Sequence, residues 1–381
     1  MKHVAVIGAG VAGCMAALFL REKGADVLLI DRSTVAASGG SGAAGAFVSP
    51  KIGKGGPLQQ LTNEAFAFAQ RFYRERFGDA FHDGGVLRIP KDEADAERFE
   101  LYEPHNYRPY ERWSAEDAAK AGIRNVPGGF FFPEAGDADA QAICKSIAEE
   151  IGLHPMEVQR LRFDGKQWQI EGAQEHLAAD AVILATGHES DLLDLRYMGI
   201  KGLWGSRGDY ATEGEFPVSF HKDFSLSSRR NGRVKLGATH VKNPAPCIAC
   251  DGRPLAALEA KAAELVDTSD FRLVETFCGM RSGSRDFFPL AGPVIDVPRM
   301  LAEYPAVCRG AKAPLLHHPN LYILNGLGGR GFVLAPLMAL WLAEWIMRQR
   351  PIDPRVHPDR LFWKWVRKHG SQSQSPITNH Q

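Results

Sequence analysis

The stretch CGMRSGSRDFFPLAGP, residues 278–293, sets Arg281, Arg285 and Asp286 among glycines and serines before an apolar, proline-bounded segment. Arginine is seldom buried without a partner, and its planar guanidinium offers a two-point fork that matches a carboxylate. Fixed positive charge in such a stretch therefore suits the grip on an anion. Arg285 and Asp286 are expected to form a structural ion pair that holds a glycine-rich turn. A further arginine, Arg330, stands inside NGLGGRG towards the C-terminal end.

The second constellation is Gly8, Gly10 and Gly13, spaced G-x-G-x-x-G between the apolar run HVAVI and a helix-like segment. The first glycine permits a tight turn, the second lets the backbone approach a pyrophosphate, and the third lets helix and strand pack closely. Asp31 ends the next apolar run, where a carboxylate can accept hydrogen bonds from a ribose hydroxyl. Gly326, Gly328 and Gly331 repeat the spacing, but one helix and a proline-broken basic tail leave no room for a second βαβ unit. This turn is expected to face the far end of the same cofactor, its helix N-terminus stabilising negative charge on a reduced isoalloxazine ring. An N-terminal ADP-binding βαβ, a central strand ending ATG at Thr186 and Gly187, and a C-terminal glycine turn together make the layout of an FAD protein.

The elements that must position these residues follow from patterning. Parallel-sheet pieces occur at the beginning, middle and end of the chain, separated by mixed and antiparallel segments. The expected architecture is α/β: a doubly wound Rossmann-like FAD-binding domain, interrupted by an antiparallel-sheet substrate domain. Residues 1–78, 136–200 and 279–381 are assigned to the first, and residues 79–135 and 201–278 to the second. The chain has 381 residues, 45% hydrophobic and 24% charged, with equal numbers of basic and acidic side chains. It reads as an ordinary globular protein whose net charge favours no polyanion. Phe332–Met347 is apolar but short and contains Pro336 and Glu344, so no membrane span is expected and the cytoplasm is the default location. Six scattered cysteines make no disulfide framework. Cys247 and Cys250 are the one pair at motif spacing, and a structural role is preferred for them over metal or redox chemistry. No metal site is expected.

The fold-level pattern resembles the D-amino-acid, glycine and sarcosine oxidase group of FAD enzymes. Within it, GMRSGSRDFFPLAG, LNGLGGRGFVLAPL and HPDRLFWKWVRKHG resemble the oxidoreductase domain of the bifunctional tRNA wobble-uridine family MnmC. NEAFAFAQRFYRERF and LGATHV agree less specifically. The resemblance implies FAD-dependent removal of the carboxymethyl group from 5-carboxymethylaminomethyl(-2-thio)uridine in tRNA, by hydride transfer to flavin and imine hydrolysis to glyoxylate. It places Arg281, and with it Arg330, on the substrate carboxylate. The implied FAD contacts are Gly8, Gly10, Gly13, Asp31, Ser38, Gly39, Gly40, Val158, Thr186, Gly187, Gly328, Gly329, Arg330 and Gly331. The alternative is a small-molecule glycine, sarcosine or D-amino-acid oxidase producing hydrogen peroxide.

The chain begins at the FAD motif, so the family's methyltransferase domain is expected to be absent and a separate methyltransferase to act on the product. Oligomeric state is not legible. His188, after ATG, is expected to be a polar strand-end residue rather than a base, since amine oxidation needs no dedicated one. The segment from Trp341 onward carries Arg348, Arg350, Arg355, Arg360, Lys364, Arg367 and Lys368, with Trp363 and Trp365 interleaved. It is the best local case for tRNA phosphate contact, and a solvated helix with buried tryptophans explains it nearly as well.

Overall fold

The computed structural model describes residues 2–188, 191–242, 250, 255–348 and 350–369. The run His3–Ile7 and the run Asp26–Asp31 are parallel strands joined through the helix Val11–Glu22. They lie inside a six-stranded sheet, ordered Leu290–Ile295, His317–Asn325, Ala181–Leu184, His3–Ile7, Asp26–Asp31, Leu153–Pro155. Five strands are parallel, and Leu290–Ile295 forms an antiparallel edge. Neighbours in this sheet come from both ends of the chain and its middle, so the mixed segments between them must be looped out.

Alternation along a strand sends successive side chains to opposite faces. Val4 and Val6 enter a core with the helices Val11–Glu22, Pro57–Arg76, Ala140–Ile151 and Gly331–Arg348. Ala5 and Ile7 enter a second core containing Trp168, Tyr197, Phe362 and Trp365. Both faces of the sheet are therefore covered, which is why its strands read as continuous apolar runs. Part of the second cover is a meander, Arg160–Phe163, Trp168–Glu171 and His176–Ala179. Four-residue strands leave too short a pattern to be read from sequence.

A nine-stranded, mostly antiparallel sheet supplies the other layer. Its longest pairing joins Lys201–Ala211 to Arg272–Gly283 along nearly their whole lengths. The expected glycine-rich turn beginning at Cys278 is thus corrected: Cys278–Gly283 is the end of a strand, and Arg281 projects from it opposite Leu203. The expected Arg285–Asp286 pair is also corrected. Asp286 receives two hydrogen bonds from Arg360, Nε to Oδ2 at 2.8 Å and Nη2 to Oδ1 at 2.9 Å, and Arg285 is exposed. The fork of a distant arginine meets both carboxylate oxygens, a geometry that an adjacent residue rarely reaches.

Two basic residues, Lys235 half-buried and Arg207 buried, tie the layers together. Lys235 donates to Asp137 (3.0 Å) and to the carbonyl of Ala138 (2.9 Å), fastening the large sheet to the small one formed by Phe47–Val48, Gly136–Ala138 and Phe81–His82. Arg207 pairs with Asp209, stacks over Phe277 at 4.1 Å and donates to the carbonyl of Ala44. Cys250 is disulfide-bonded to Cys278, not paired with Cys247, which lies outside the described residues. The helix segment Gly328–Arg348 is long and apolar enough to cross a membrane, but Met338, Ala339 and Leu342 are fully buried in the first core.

Candidate active site

One cavity of about 1330 Å³ runs from the first glycine turn to the large sheet, exceeding the ~300–1,000 Å³ of ordinary small-molecule pockets. Gly8 and Gly10 line one end, at the N-terminus of Val11–Glu22. Gly8 adopts φ +108°, which side-chain-bearing residues rarely do. Gly13 is not in the cavity wall: a Cβ there would stand 1.7 Å from the Gly8 carbonyl oxygen, so this glycine serves helix–strand contact. Asp31 lines the same end and accepts from the amides of Ala9 (2.7 Å) and Ser33 (2.8 Å). Ser41 accepts from the amide of Val11 at 2.9 Å, so the small-residue loop lies directly over the helix N-terminus.

That loop also meets the strand carrying Arg281. A Cβ on Gly40 would fall 2.3 Å from the Met280 carbonyl oxygen, and one on Gly279 would fall 2.8 Å from the Gly40 Cα. The two backbones touch where neither has a side chain. Ser38, Gly39, Val158, Thr186, Gly187, Gly328, Gly329 and Gly331 line the cavity too. Thr186 keeps a buried hydroxyl with no protein partner, as a wall built for a ligand would. With the glycine cradle and the free helix end, these residues fit a dinucleotide such as FAD.

At the other end stand the arginines. Arg281 lies against Gly329, whose Cβ would be 3.7 Å from its Cδ, and its Nη1 donates to the Thr239 carbonyl at 3.3 Å. Burial alone holds the Arg281 guanidinium below the usual arginine value. Arg330, on the turn Gly328–Arg330, is pulled by burial to about 10. Asn325 secures both pieces: its Oδ1 accepts from Ser282 and Gly326, each at 2.7 Å, and its Nδ2 donates to the Gly187 carbonyl at 2.7 Å. Asn325, Ser41, Lys51, Arg88 and His221 escaped the sequence reading: Asn325 heads NGLGGRG, where only the glycines and the arginine were singled out, and the others belong to no spaced motif. Lys51 is lowered to about 8 by burial and by the charges of Arg330 and Arg88. His221 is kept neutral by burial, Arg88 and Arg330, and His240 is lowered by burial and Arg281. His188 is not part of the cavity wall.

The family pattern described as "FAD dependent oxidoreductase" matches residues 3–345. The chain belongs to the FAD-dependent oxidoreductase family. Its cofactor is FAD, and it is an oxidoreductase. Over 95% of its length it is 29% identical to the tRNA 5-methylaminomethyl-2-thiouridine biosynthesis bifunctional protein MnmC of Stutzerimonas stutzeri (strain A1501). The protein of that name from Pseudomonas putida (strain KT2440) is 28% identical over 94% of the chain. The chain spans only 59% and 60% of these relatives' lengths. Among solved structures, glycine oxidase from Bacillus cereus ATCC 14579 superposes with a TM-score of 0.77 at 20% identity, over 92% of this chain and 96% of that one. Iminodiacetate oxidase from Chelativorans sp. BNC1 gives 0.74 at 20% identity, over 93% and 98%. These likenesses establish the D-amino-acid-oxidase type of fold.

Three of the seven basic residues in the tail of this oxidoreductase are ion-paired within the chain. Arg350 pairs with Glu344 (3.3 Å), Arg355 with Glu64 (3.2 Å) and Asp353, and Arg360 with Asp286. Trp365 is buried, and the exposed basic residues on the helix Phe362–His369 are Lys364, Arg367 and Lys368.

Proposed function

We propose that the protein oxidises the N-carboxymethyl group of 5-carboxymethylaminomethyl(-2-thio)uridine at the wobble position of tRNA. The observation that carries this reading is Arg281. It is a half-buried guanidinium with no carboxylate partner among the described residues, and it projects into the cofactor cavity beside Arg330. Likeness to proteins of tRNA 5-methylaminomethyl-2-thiouridine biosynthesis supports tRNA as the substrate. The group to be removed is a glycine linked through its nitrogen, so its carboxylate is the handle nearest the reacting carbon.

FAD, when bound, supplies the acceptor for the two electrons and hydrogen that leave the N–CH₂ carbon. Arg281 and Arg330 hold the carboxylate through charge-assisted hydrogen bonds and so fix that carbon's position. The amine must be neutral for its bond to be oxidised, and the surrounding cations favour the neutral form. Water then adds across the C=N bond of the imine, and cleavage releases glyoxylate and the aminomethyl base. Methylation of that product is the work of a separate methyltransferase activity. Domain limits at residues 78/79, 135/136, 200/201 and 278/279 remain part of the proposal.

The test is mass spectrometry of nucleosides from carboxymethylaminomethyl-bearing tRNA before and after incubation with the yellow, purified protein. Conversion to the aminomethyl nucleoside is expected, with no oxygen uptake on free glycine or sarcosine. An unchanged nucleoside sinks the tRNA assignment, and oxygen uptake with the free amines would install the small-molecule oxidase in its place.

A further inference from the structure

Five side-chain cations line the cavity: Arg32, next to Asp31 at the dinucleotide end, and Lys51, Arg88, Arg281 and Arg330. None of the last four forms an ion pair among the described residues. Four carboxylates also line the cavity, Asp31, Glu157, Asp191 and Asp223, and none of them is ion-paired to Lys51, Arg88, Arg281 or Arg330 among the described residues. Asp31 accepts backbone amides at the dinucleotide end, and Asp223 is paired with Lys261. Asp95, whose charge acts on Arg88, accepts from the Lys91 amide and pairs with Arg98. Unpaired cations out of water are costly, and four of them at one place imply more negative charge than a single carboxylate brings.

The four divide by origin. Arg281 packs against Gly329, the residue before Arg330, and the first carboxylate is assigned there. Arg88 comes from a different part of the large sheet, the strand Val86–Arg88, in parallel register with His221, so their side chains leave the same face. Lys51 follows the strand Phe47–Val48 and is repelled by both Arg330 and Arg88. The FAD diphosphate has its own acceptor elements, the helix end at Val11 and the loop over it, on the six-stranded sheet.

We infer that Arg88 and Lys51 form a second anion subsite, which takes a phosphate or carboxylate carried by the same substrate whose N-carboxymethyl group lies on Arg281. The inference rests on the proposed function for the first anion. It makes the substrate class a dianion: a nucleotide presenting its own phosphate together with the modified base, or an N-carboxymethyl amine with a second acid group. His221, kept neutral beside Arg88, can contribute a hydrogen bond to that second group without a further charge.

Binding to the FAD-loaded protein, followed through the flavin absorption spectrum, tests this. The probes are two matched sets: sarcosine against iminodiacetate, and 5-carboxymethylaminomethyluridine against its 5′- and 3′-monophosphates. In at least one set the dianion is expected to bind ~10-fold or more tighter than the monoanion, as a charge-assisted contact allows. R88Q and, independently, K51Q should each bring that ratio towards 1, with FAD content confirming that the variants are folded. A preference confined to the monophosphates identifies a nucleic-acid phosphate, and one confined to iminodiacetate identifies a carboxylate. Equal binding of both members in every set, or a ratio that survives both substitutions, overturns the subsite. A dianion preference in an enzyme that leaves tRNA nucleosides unchanged would retire the tRNA reading and keep the subsite.

Discussion

Placing a methyl group at Gly205 tests whether the position of Arg281, rather than its charge alone, governs turnover. Gly205 sits on the strand Lys201–Ala211 with Gly279 as its register partner. A Cβ there would stand 2.5, 2.6 and 2.7 Å from Nη1, Nη2 and Cζ of Arg281. Comfortable contact needs ~3.5 Å, so in Gly205→Ala the guanidinium must retreat by about 1 Å. The atoms displaced are the far end of a flexible side chain, which limits the stability cost to about 1 kcal/mol of rotamer strain. A positioning group moved by ~1 Å costs ~10²-fold in rate, equivalent to ~2.7 kcal/mol of barrier. The assay is kcat/KM on the carboxymethylaminomethyl substrate, alongside flavin content and Tm. We expect a ~100-fold fall in kcat/KM with the protein still yellow and its Tm nearly unchanged. Full activity in the FAD-loaded variant would refute the positional argument, and loss of flavin or folding would show that the glycine serves packing instead.

Three other perturbations follow from the geometry. Gly13→Ala forces a Cβ to within 1.7 Å of the Gly8 carbonyl oxygen and 2.9 Å of its carbon, where only backbone can yield, so the variant should purify colourless; a normal flavin-to-protein absorbance ratio would contradict this. Arg360→Ala leaves Asp286 half-buried without its fork and should cost ~1–2 kcal/mol, read as a fall in Tm at neutral pH. Burial raises the Asp286 carboxyl, but the Arg360 hydrogen bonds and charge outweigh it and hold the group below the ordinary value. The Tm gap between wild type and variant should therefore persist at neutral pH and shrink only below about pH 4, as that carboxyl is protonated. Lys51, at about 8 through burial and the charges of Arg330 and Arg88, is cationic below that pH and neutral above it. Anion affinity of the FAD-loaded protein should fall as pH rises through that value, and Lys51→Met should flatten the step.

What could be read from the sequence was whatever backbone geometry enforces. The turn at Gly8 and the close packing at Gly13 admit few other residues, and Asp31 ends a strand whose apolar run announces it. The ends of the sheet were legible because strands buried on both faces leave continuous apolar runs. Arg281 was picked out by its residue type and the family resemblance, but its strand was mistaken for a turn, since the small residues around it serve a close approach to Gly40 and Gly205 rather than a bend. Adjacency suggested Arg285 for Asp286, whereas the partner is Arg360, 74 residues away. Lys51 and Arg88 left no trace, because a single basic residue on or beside a strand of two or three residues has no period to betray it.

The contact between Gly40 and the backbone at Gly279 and Met280 means that the loop over the cofactor cradle and the strand bearing Arg281 behave as one body. No side chain cushions that seam, so ordering one side restricts the other. FAD binding and the proposed carboxylate binding are then coupled free energies, and such coupling is reciprocal. Whatever factor the flavin adds to carboxylate affinity, a carboxylate resting on Arg281 must return to flavin retention. An acid too inert to be oxidised would act as a lock on the cofactor.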